Sequence, residues 1–469
     1  MNNSRRDFLK KASLLSSVAI TLPSLQNEVF AANRFNMSGF AAPKIDKVKV
    51  AIIGLGMRGP GAVDRISYIE GADIVALCDK HPDRVSKAQT ILTKKGLKEA
   101  TAYSGEDGWK TMLKNEELDL VYICTPWNYH APMAIEAMKA GAHAATEVPI
   151  GLTVSEIWEV VKTSESTKRH CMMLENCCYD FFEMLTLNMA RQGMFGELVH
   201  AEGAYIHDLL SLNFNKNGYD DMWRLRQNIK LNGNLYPTHG VGPVAQCLNI
   251  NYGDRMNHLV AMQSSDFMMG EKAKELAAND DFFNEFAGKQ YRGNMDITLI
   301  KTEKGKTIML QHDVTSPRPY SRLHVLSGTK GFAQKYPQEG IAFGHSFVKK
   351  EELQDLYDKY TPELVKFIGE QAKQVGGHGG MDFMMDWRLI DCLRNGLPLD
   401  QSVYDGASWS AIVPLSVQSV AKNSRTVDFP DFTRGDWKTN KPHDMSLNGG
   451  GNTPIRPKVE EKDVQLNVQ

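Results

Sequence analysis

The sequence predicts two domains of different class. The first is an α/β domain on a doubly wound parallel sheet, and the second is an α+β domain with an open, mostly antiparallel sheet. Three observations predict this. An alternating and then apolar run, Lys47–Ile53, leads directly into Gly54-Leu55-Gly56-Met57-Arg58-Gly59. Strand-like and helix-like segments then alternate to about residue 174, the pattern of parallel βαβ units. From about residue 195 to 345 strands dominate, and helical patterns return after them.

The opening run is the first strand of a parallel sheet, and G-x-G-x-x-G follows it at once. In such a loop the first glycine permits the tight turn, the second admits a pyrophosphate to the backbone, and the third lets helix and strand pack closely. A second strand, Asp73–Cys78, ends at Asp79, twenty residues after Gly59, where a ribose-binding carboxylate belongs. An acid there favours a free ribose diol, hence NAD over NADP. The first domain, residues 47–180, therefore reads as a Rossmann domain.

Further units support it. Leu118–Cys124 is a strand leading into Thr125-Pro126, and His130–Ala140 is a helix that stops at Gly141. His143–Glu147 is a short strand, Thr153–Thr163 a helix capped by Thr153 or Ser155, and His170–Leu174 the last strand. Ligands sit beyond the carboxyl ends of such strands. Those ends carry Gly54, Asp79, Thr125-Pro126-Trp127, Glu147 and Glu175-Asn176.

The second domain, residues 181–425, opens with a strand from Glu197 to Gly203. Met295–Ile300 and Thr307–His312 flank a Lys304-Gly305 turn and read as a hairpin. Gly380–Leu393 and Val403–Val420 read as helices, and residues 426–469 as a C-terminal tail.

Bulk properties narrow the function. Hydrophobic residues are 42% and charged residues 23% of 469, the balance of a globular chain able to bury a core. A net charge of −2 implies no strongly basic face, which argues against a nucleic-acid partner. Ser4-Arg5-Arg6-Asp7-Phe8-Leu9-Lys10 has the form of a twin-arginine export signal. An apolar stretch follows, and Val29-Phe30-Ala31 suits cleavage. Residues 1–31 thus read as a signal peptide and 32–46 as a linker, with a periplasmic destination. The apolar stretch is too short and serine-rich to make a stable membrane anchor. The seven cysteines show no Cys-x-x-Cys spacing and read as buried thiols, with no metal site.

Thr125-Pro126-x-x-x-His130 followed by Glu147-Val148-Pro149 resembles the glucose–fructose oxidoreductase/inositol dehydrogenase superfamily. A narrower resemblance is to family 109 of the glycoside hydrolases, the NAD-dependent α-N-acetylgalactosaminidases. It rests on the glycine loop, Trp127-Asn128-Tyr129-His130, Glu175–Tyr179, Gly193–His200, Leu235–Pro243 and Gly377–Asp382. Tyr236–Pro243 is the most specific of these. Simple dehydrogenases of the superfamily usually carry Glu-Lys-Pro, whose lysine helps to move the alcohol proton. Val148 cannot do so.

The resemblance implies a cycle of oxidation, elimination, water addition and reduction on a terminal α-linked N-acetylgalactosamine, with NAD regenerated at each turnover. It implies that Met57, Arg58, Asp79, Trp127, Asn128, Tyr129, His130, Glu147, Val148 and Asn176 contact NAD together with the glycines. Tyr205, Arg224, Tyr236, His239 and Tyr320 would line the sugar site. His239 is the first candidate for acid–base work, since histidine titrates near neutrality; its alternative is a hydrogen-bonded core histidine. Tyr236 and Tyr179 are further catalytic candidates, with strand packing and interdomain packing as their alternatives. His207 and His312 read as structural, and His378 as either loop or site. The partner is a glycan or small molecule, and a homo-oligomer is compatible with the paired sheet faces common in the superfamily. The competing reading is an exported NAD-dependent sugar oxidoreductase with net redox turnover.

Overall fold

The structure is a computed structural model that describes residues 34–457. The export signal read at residues 1–31 lies outside the described residues. The first sheet follows from short, mostly apolar segments, buried at its centre and exposed at its β3 edge. β1 (Val48–Ile53), β2 (Ala72–Asp79), β3 (Thr101–Ser104), β4 (Leu120–Ile123), β5 (His143–Thr146) and β6 (Cys171–Met173) alternate with five helices. These are α1 (Gly59–Ile66), α2 (Pro82–Lys94), α3 (Gly108–Asn115), α4 (His130–Lys139) and α5 (Val154–Thr167). All pairings are parallel, in the order β3-β2-β1-β4-β5-β6. The order reverses between β1 and β4, and a crevice opens beyond the carboxyl ends there.

β4 to β6 are wholly buried, as strands covered by helices on both faces must be. β3 is an edge strand, largely exposed, whose Thr-Ala-Tyr-Ser carries no apolar run. α5 starts at Thr153, whose hydroxyl accepts from Glu156 N at 3.2 Å while Glu156 accepts from Thr153 N at 3.0 Å. This reciprocal cap satisfies two helix-end donors and settles which residue starts the helix.

After α6 (Phe181–Arg191) comes β7 (Leu198–Ile206), then α7 (Trp223–Lys230), α8 (Thr238–Cys247), β8 (Met256–Gln263) and α9 (Met269–Ala277). The hairpin is present as β9 (Asp296–Thr302) and β10 (Thr307–Asp313). It is followed by β11 (Ser321–Gly328), β12 (Phe332–Gln334) and β13 (Gly340–Ala342). Five more helices follow before β14 (Val427–Asp428): α10 (Lys350–Tyr360), α11 (Glu363–Val375), α12 (Met381–Asn395), α13 (Val403–Ser410) and α14 (Ile412–Ala421). The second sheet has the order β13-β12-β11-β7-β10-β9-β8-β14. Only β7 with β10 is parallel. α8 packs on β7 and β11, and α14 packs on β8. β9 alternates buried and exposed residues, with Ile297 and Leu299 on the open face.

The chain between residues 403 and 421 differs from the single helix read there. It is two helices broken at Ala411, because Pro414 has no N–H for the 410 carbonyl and its ring crowds that group. α12 and α13 return to the Rossmann domain, where α12 meets α1 and β1, and α13 meets α5 and β6. Residues 426–457, read as a tail, also return. Ile455 bridges to Ile69, and Arg456 donates to Ser67 O at 2.7 Å. In the segment before β1, Met37 and Ala42 are buried and Ile45 N donates to Leu393 O at 3.2 Å. Among the described residues no helix is long and apolar enough to cross a membrane.

His324 on β11 is buried, with Nε2 2.8 Å from Thr186 Oγ1. Burial, together with the Lys335 and Arg322 cations, lowers its pKa to about 3. Below about pH 6.5 the unfolded chain takes up a proton there that the folded chain refuses. Its contribution to stability is therefore full above that pH and is lost as pH falls toward 3. We expect denaturant titrations to show about 2 kcal/mol less stability at pH 5 than at pH 7 from this residue. His324→Gln should remove that part of the acid slope, and equal slopes in variant and wild type would refute the assignment.

Candidate active site

One cavity of about 590 Å³ lies at the carboxyl ends of β1, β2 and β4 and continues to residues of the second domain. Its floor is the glycine loop. Gly54 has φ +88°, and a Cβ there would lie 2.7 Å from the Cys124 carbonyl. A Cβ on Gly59 would lie 2.0 Å from Gly54 O, so the loop can close onto α1 only with glycine at that position. At Gly56 a Cβ would meet only Arg84 Nη1, at 3.8 Å; this glycine leaves the backbone open to the cavity. Asp79 braces the loop: its Oδ2 accepts from Leu55 N at 2.7 Å and its Oδ1 from His81 N at 2.9 Å. A carboxylate has about four acceptor sites, so room remains for ribose hydroxyls.

The loop's charge is answered both within the Rossmann domain and from the far end of the chain. Arg58 Nε donates to Glu147 Oε1 at 2.8 Å, and Arg58 Nη1 to Asp382 Oδ2 at 3.1 Å. Arg65 on α1 pairs with Asp386 at 2.7 Å, and Tyr122 donates to the same carboxylate at 2.8 Å. Asp382 and Asp386 are one helical turn apart on α12, so a single helix face answers both arginines. Burial alone would raise the Asp382 carboxyl. His378, Arg58 and Arg65 outweigh it and hold it well below the usual range. The Glu147 carboxylate drives Arg58 upward, so this guanidinium is permanently charged at the cavity edge.

The opposite wall carries Tyr205, Arg224, Tyr236 and His239. The glycines of Thr238-His239-Gly240-Val241-Gly242 explain how they meet. A Cβ at Gly240 would lie 2.4 Å from Ala204 N, so α8 lies directly against β7, the strand of Tyr205. A Cβ at Gly242 would lie 2.8 Å from Glu175 Cγ, and its absence makes room for that side chain. Glu175 is fully buried after β6, and its Oε1 lies 2.6 Å from His239 Nδ1. A carboxylate accepts here, which places the imidazole hydrogen on Nδ1 and leaves the Nε2 lone pair for a ligand. The Cys177 Sγ is close to both groups, but burial raises its thiol far up, so it stays protonated rather than acting as a thiolate ligand.

Burial raises Tyr205 to about 12 and Tyr236 well above the usual phenol, despite the opposing Arg224 cation. Both stay protonated and act as donors. Arg224 lies within 5.2 Å of the ring centroids of Trp127, Tyr219, Trp223 and Tyr236, a cation held among aromatic faces.

The structure redistributes several residues named from the sequence. Gly54, Gly56, Met57, Arg58, Asp79, Tyr129, Glu147 and Asn176 reach the cavity, and His207 and His378 join them. Gly59 works beneath the loop. Trp127 is buried, stacked on Tyr236 at 5.7 Å and edge-on to Trp223 at 5.0 Å, so it supports the wall from behind. Asn128 is exposed beside it. His130 is buried with its ring nitrogens 2.7 and 2.8 Å from the Pro149 and Thr125 carbonyls, a strut between two loops. Val148 is buried off the wall. Tyr179 is the clearest correction. Its hydroxyl donates to Asp400 Oδ2 at 3.2 Å, away from the cavity, because the turn Asn176–Tyr179 aims it at α12 and the loop after it. Burial raises its phenol far up, and it packs rather than reacts. Tyr320 stands at the rim, 5.1 Å from the His207 ring. His312 sits behind the wall, accepting from Leu235 N at 3.3 Å. Sequence reasoning missed Glu175 as the partner of His239; its only signal was an acid at a strand's carboxyl end.

The glycine cradle, the spare acceptor sites of Asp79 and the open Gly56 backbone fit a dinucleotide. Comparisons with known proteins agree. Residues 48–175 match the model "Oxidoreductase family, NAD-binding Rossmann fold", and residues 179–439 match "Glycosyl hydrolase 109, C-terminal domain". The chain is 49% identical over 406 residues to an alpha-N-acetylgalactosaminidase of Bacteroides fragilis, covering 85% of this chain and 95% of that one. It is 50% identical over 417 residues to a family 109 protein of Porphyromonas gingivalis, covering 84% and 86%. Scyllo-inositol dehydrogenase from Lactobacillus casei, solved with NAD(H) and scyllo-inositol, shares the fold at a TM-score of 0.57 and 15% identity, over 81% of this chain and 99% of that one. A glycine loop that fits NAD, a sugar-type wall of tyrosines, arginine and histidine, and two family models that together span most of the chain lead to one conclusion: this protein belongs to glycosyl hydrolase family 109 and holds NAD in its Rossmann domain.

Proposed function

We propose that the protein hydrolyses terminal α-linked N-acetylgalactosamine through oxidation, elimination, water addition and reduction of the sugar, with no net redox change. The observation that carries this reading is the shared cavity, in which the dinucleotide loop and the Glu175-backed His239 face one space. When bound, NAD⁺ supplies reversible hydride acceptance at the sugar. His239 Nε2 then removes the C2 proton that a neighbouring ketone acidifies, and Glu175 stabilises the imidazolium formed. Tyr236 and Tyr205 donate hydrogen bonds to sugar oxygens. Arg224, held among the rings, meets the acetamido carbonyl, and the aromatic wall packs on the sugar's C–H faces. Val148 supports this over net redox turnover: a buried valine off the wall offers no proton relay where related dehydrogenases carry lysine. Export of the folded protein by the twin-arginine signal is part of the same proposal, because a cofactor regenerated at each turnover needs no external pool.

The test is turnover of an aryl α-N-acetylgalactosaminide in D₂O. Deuterium should appear at C2 of the released sugar without accumulation of NADH. Rapid release of sugar with hydrogen retained at C2 would mean direct displacement and would end the proposal. NADH accumulating in step with product would establish the net oxidoreductase instead.

A further inference from the structure

Three basic side chains follow the ribose acid: Lys80, His81 and Arg84. A basic set beside the ribose is what a Rossmann site uses to receive the 2′-phosphate of NADP. Here all three converge on one carboxylate from the second domain, that of Asp220. Its Oδ2 lies 2.9 Å from Lys80 Nζ, and its Oδ1 lies 3.1 Å from His81 Nε2 and 2.9 Å from Arg84 Nη2. Arg84 spans both acids, since its other terminal nitrogen, Nη1, lies 3.7 Å from Asp79 Oδ1. Burial would raise the Asp220 carboxyl, but hydrogen bonds from Lys80 and Arg84 outweigh it and hold it below the usual range. Asp79, Lys80, Arg84 and Asp220 all border the cavity that holds the glycine loop.

We propose that Asp220 is a cofactor-specificity residue: its carboxylate, supplied across the cavity by the second domain, occupies the Lys80–His81–Arg84 set as an internal anion and bars a 2′-phosphate. Rossmann-domain residues alone give a mixed signal, one acid followed by three bases. The second domain resolves it in favour of the free diol. The same contact ties residues 219–223 to the ribose edge, so the specificity element is also a bridge between domains. The inference rests on the assignment of this cavity to NAD.

The experiment is an exchange competition on the full-length holoenzyme. Wild type, Asp220→Asn and Asp220→Glu are incubated with isotopically labelled NAD⁺ and unlabelled NADP⁺ until the label is incorporated. They are then desalted and denatured, and the released dinucleotides are counted by mass. In Asp220→Asn the bound NADP-to-NAD ratio should rise at least tenfold over wild type. Asp79 remains, so the preference narrows rather than reverses. Asp220→Glu restores the charge and should stay near the wild-type ratio. An unchanged ratio in Asp220→Asn, including one in which both dinucleotides weaken together, overturns the proposal. A ratio in Asp220→Glu as high as in Asp220→Asn overturns it too, because charge would then not be the cause. Asp220→Ser gives the same readout if the Asn variant does not fold. A wild-type protein that carries no dinucleotide would instead overturn the cofactor assignment itself.

Discussion

His239→Ala should lower turnover of an aryl α-N-acetylgalactosaminide by on the order of 10²- to 10⁴-fold, the range typical of a lost acid–base group. NAD should remain bound, because the glycine loop, Asp79 and Arg58 belong to the Rossmann half and make no contact through the imidazole. The check is turnover measured beside the dinucleotide released on denaturation. Folding should survive: the ring is partly open to the cavity, and among the described residues its one side-chain hydrogen-bond partner is Glu175. A variant that keeps wild-type turnover removes His239 from the mechanism. A variant that loses NAD as well would show that the imidazole shapes the cofactor site, contrary to the division of labour described above.

Glu175→Gln is expected to have the next largest effect. Glu175 touches His239 and does not line the cavity, so it is a positioning residue. Its carboxylate fixes the hydrogen on Nδ1 and stabilises the imidazolium. A neutral amide of the same shape can present its NH₂ to Nδ1, which reverses the tautomer. In a comparable histidine–carboxylate pair the neutral amide costs about 10⁴ in turnover, and we expect a loss of roughly 10²- to 10⁴-fold here. A merely structural role would disturb NAD retention and KM along with kcat. A positioning role should lower kcat while KM for the sugar and the bound NAD stay near wild type, because Glu175 does not line the cavity. A near-normal kcat would refute the role. Because Glu175 is fully buried, the Gln variant is preferred to Ala, which would leave a void beside Gly242.

Both expectations join residues 64 positions apart, and that distance marks the limit of sequence reasoning. The glycine loop and Asp79 were legible because a phosphate-binding turn is local: its spacing, its strand and its acid lie within one stretch of chain. Buried parallel strands were legible for the same reason, as apolar runs. β3 was missed because an exposed edge strand has no apolar run to show. Residues near the right strand ends were harder to sort. Trp127, His130 and Tyr179 sit in the right neighbourhood, yet the side-chain directions imposed by short turns send them into packing. Adjacent Glu175 and Asn176 both mattered, for different partners.

The sequence by itself determined the fold class, the dinucleotide loop, the acid that ends β2 and the segment Tyr236–Pro243 that carries His239. Each depends on short-range pattern or on a contiguous motif. Only the tertiary structure decided which groups answer one another. Asp382 and Asp386 reach Arg58 and Arg65 because α12 packs on α1, more than 300 residues later in the chain. Glu175 reaches His239 because two glycines let α8 sit against β7 and leave space for a carboxylate. Asp220 meets Lys80, His81 and Arg84 across the cavity. A charge in a sequence carries a sign but no partner. Packing supplies the partner, and with it the direction in which a carboxylate, a phenol or an imidazole moves its proton.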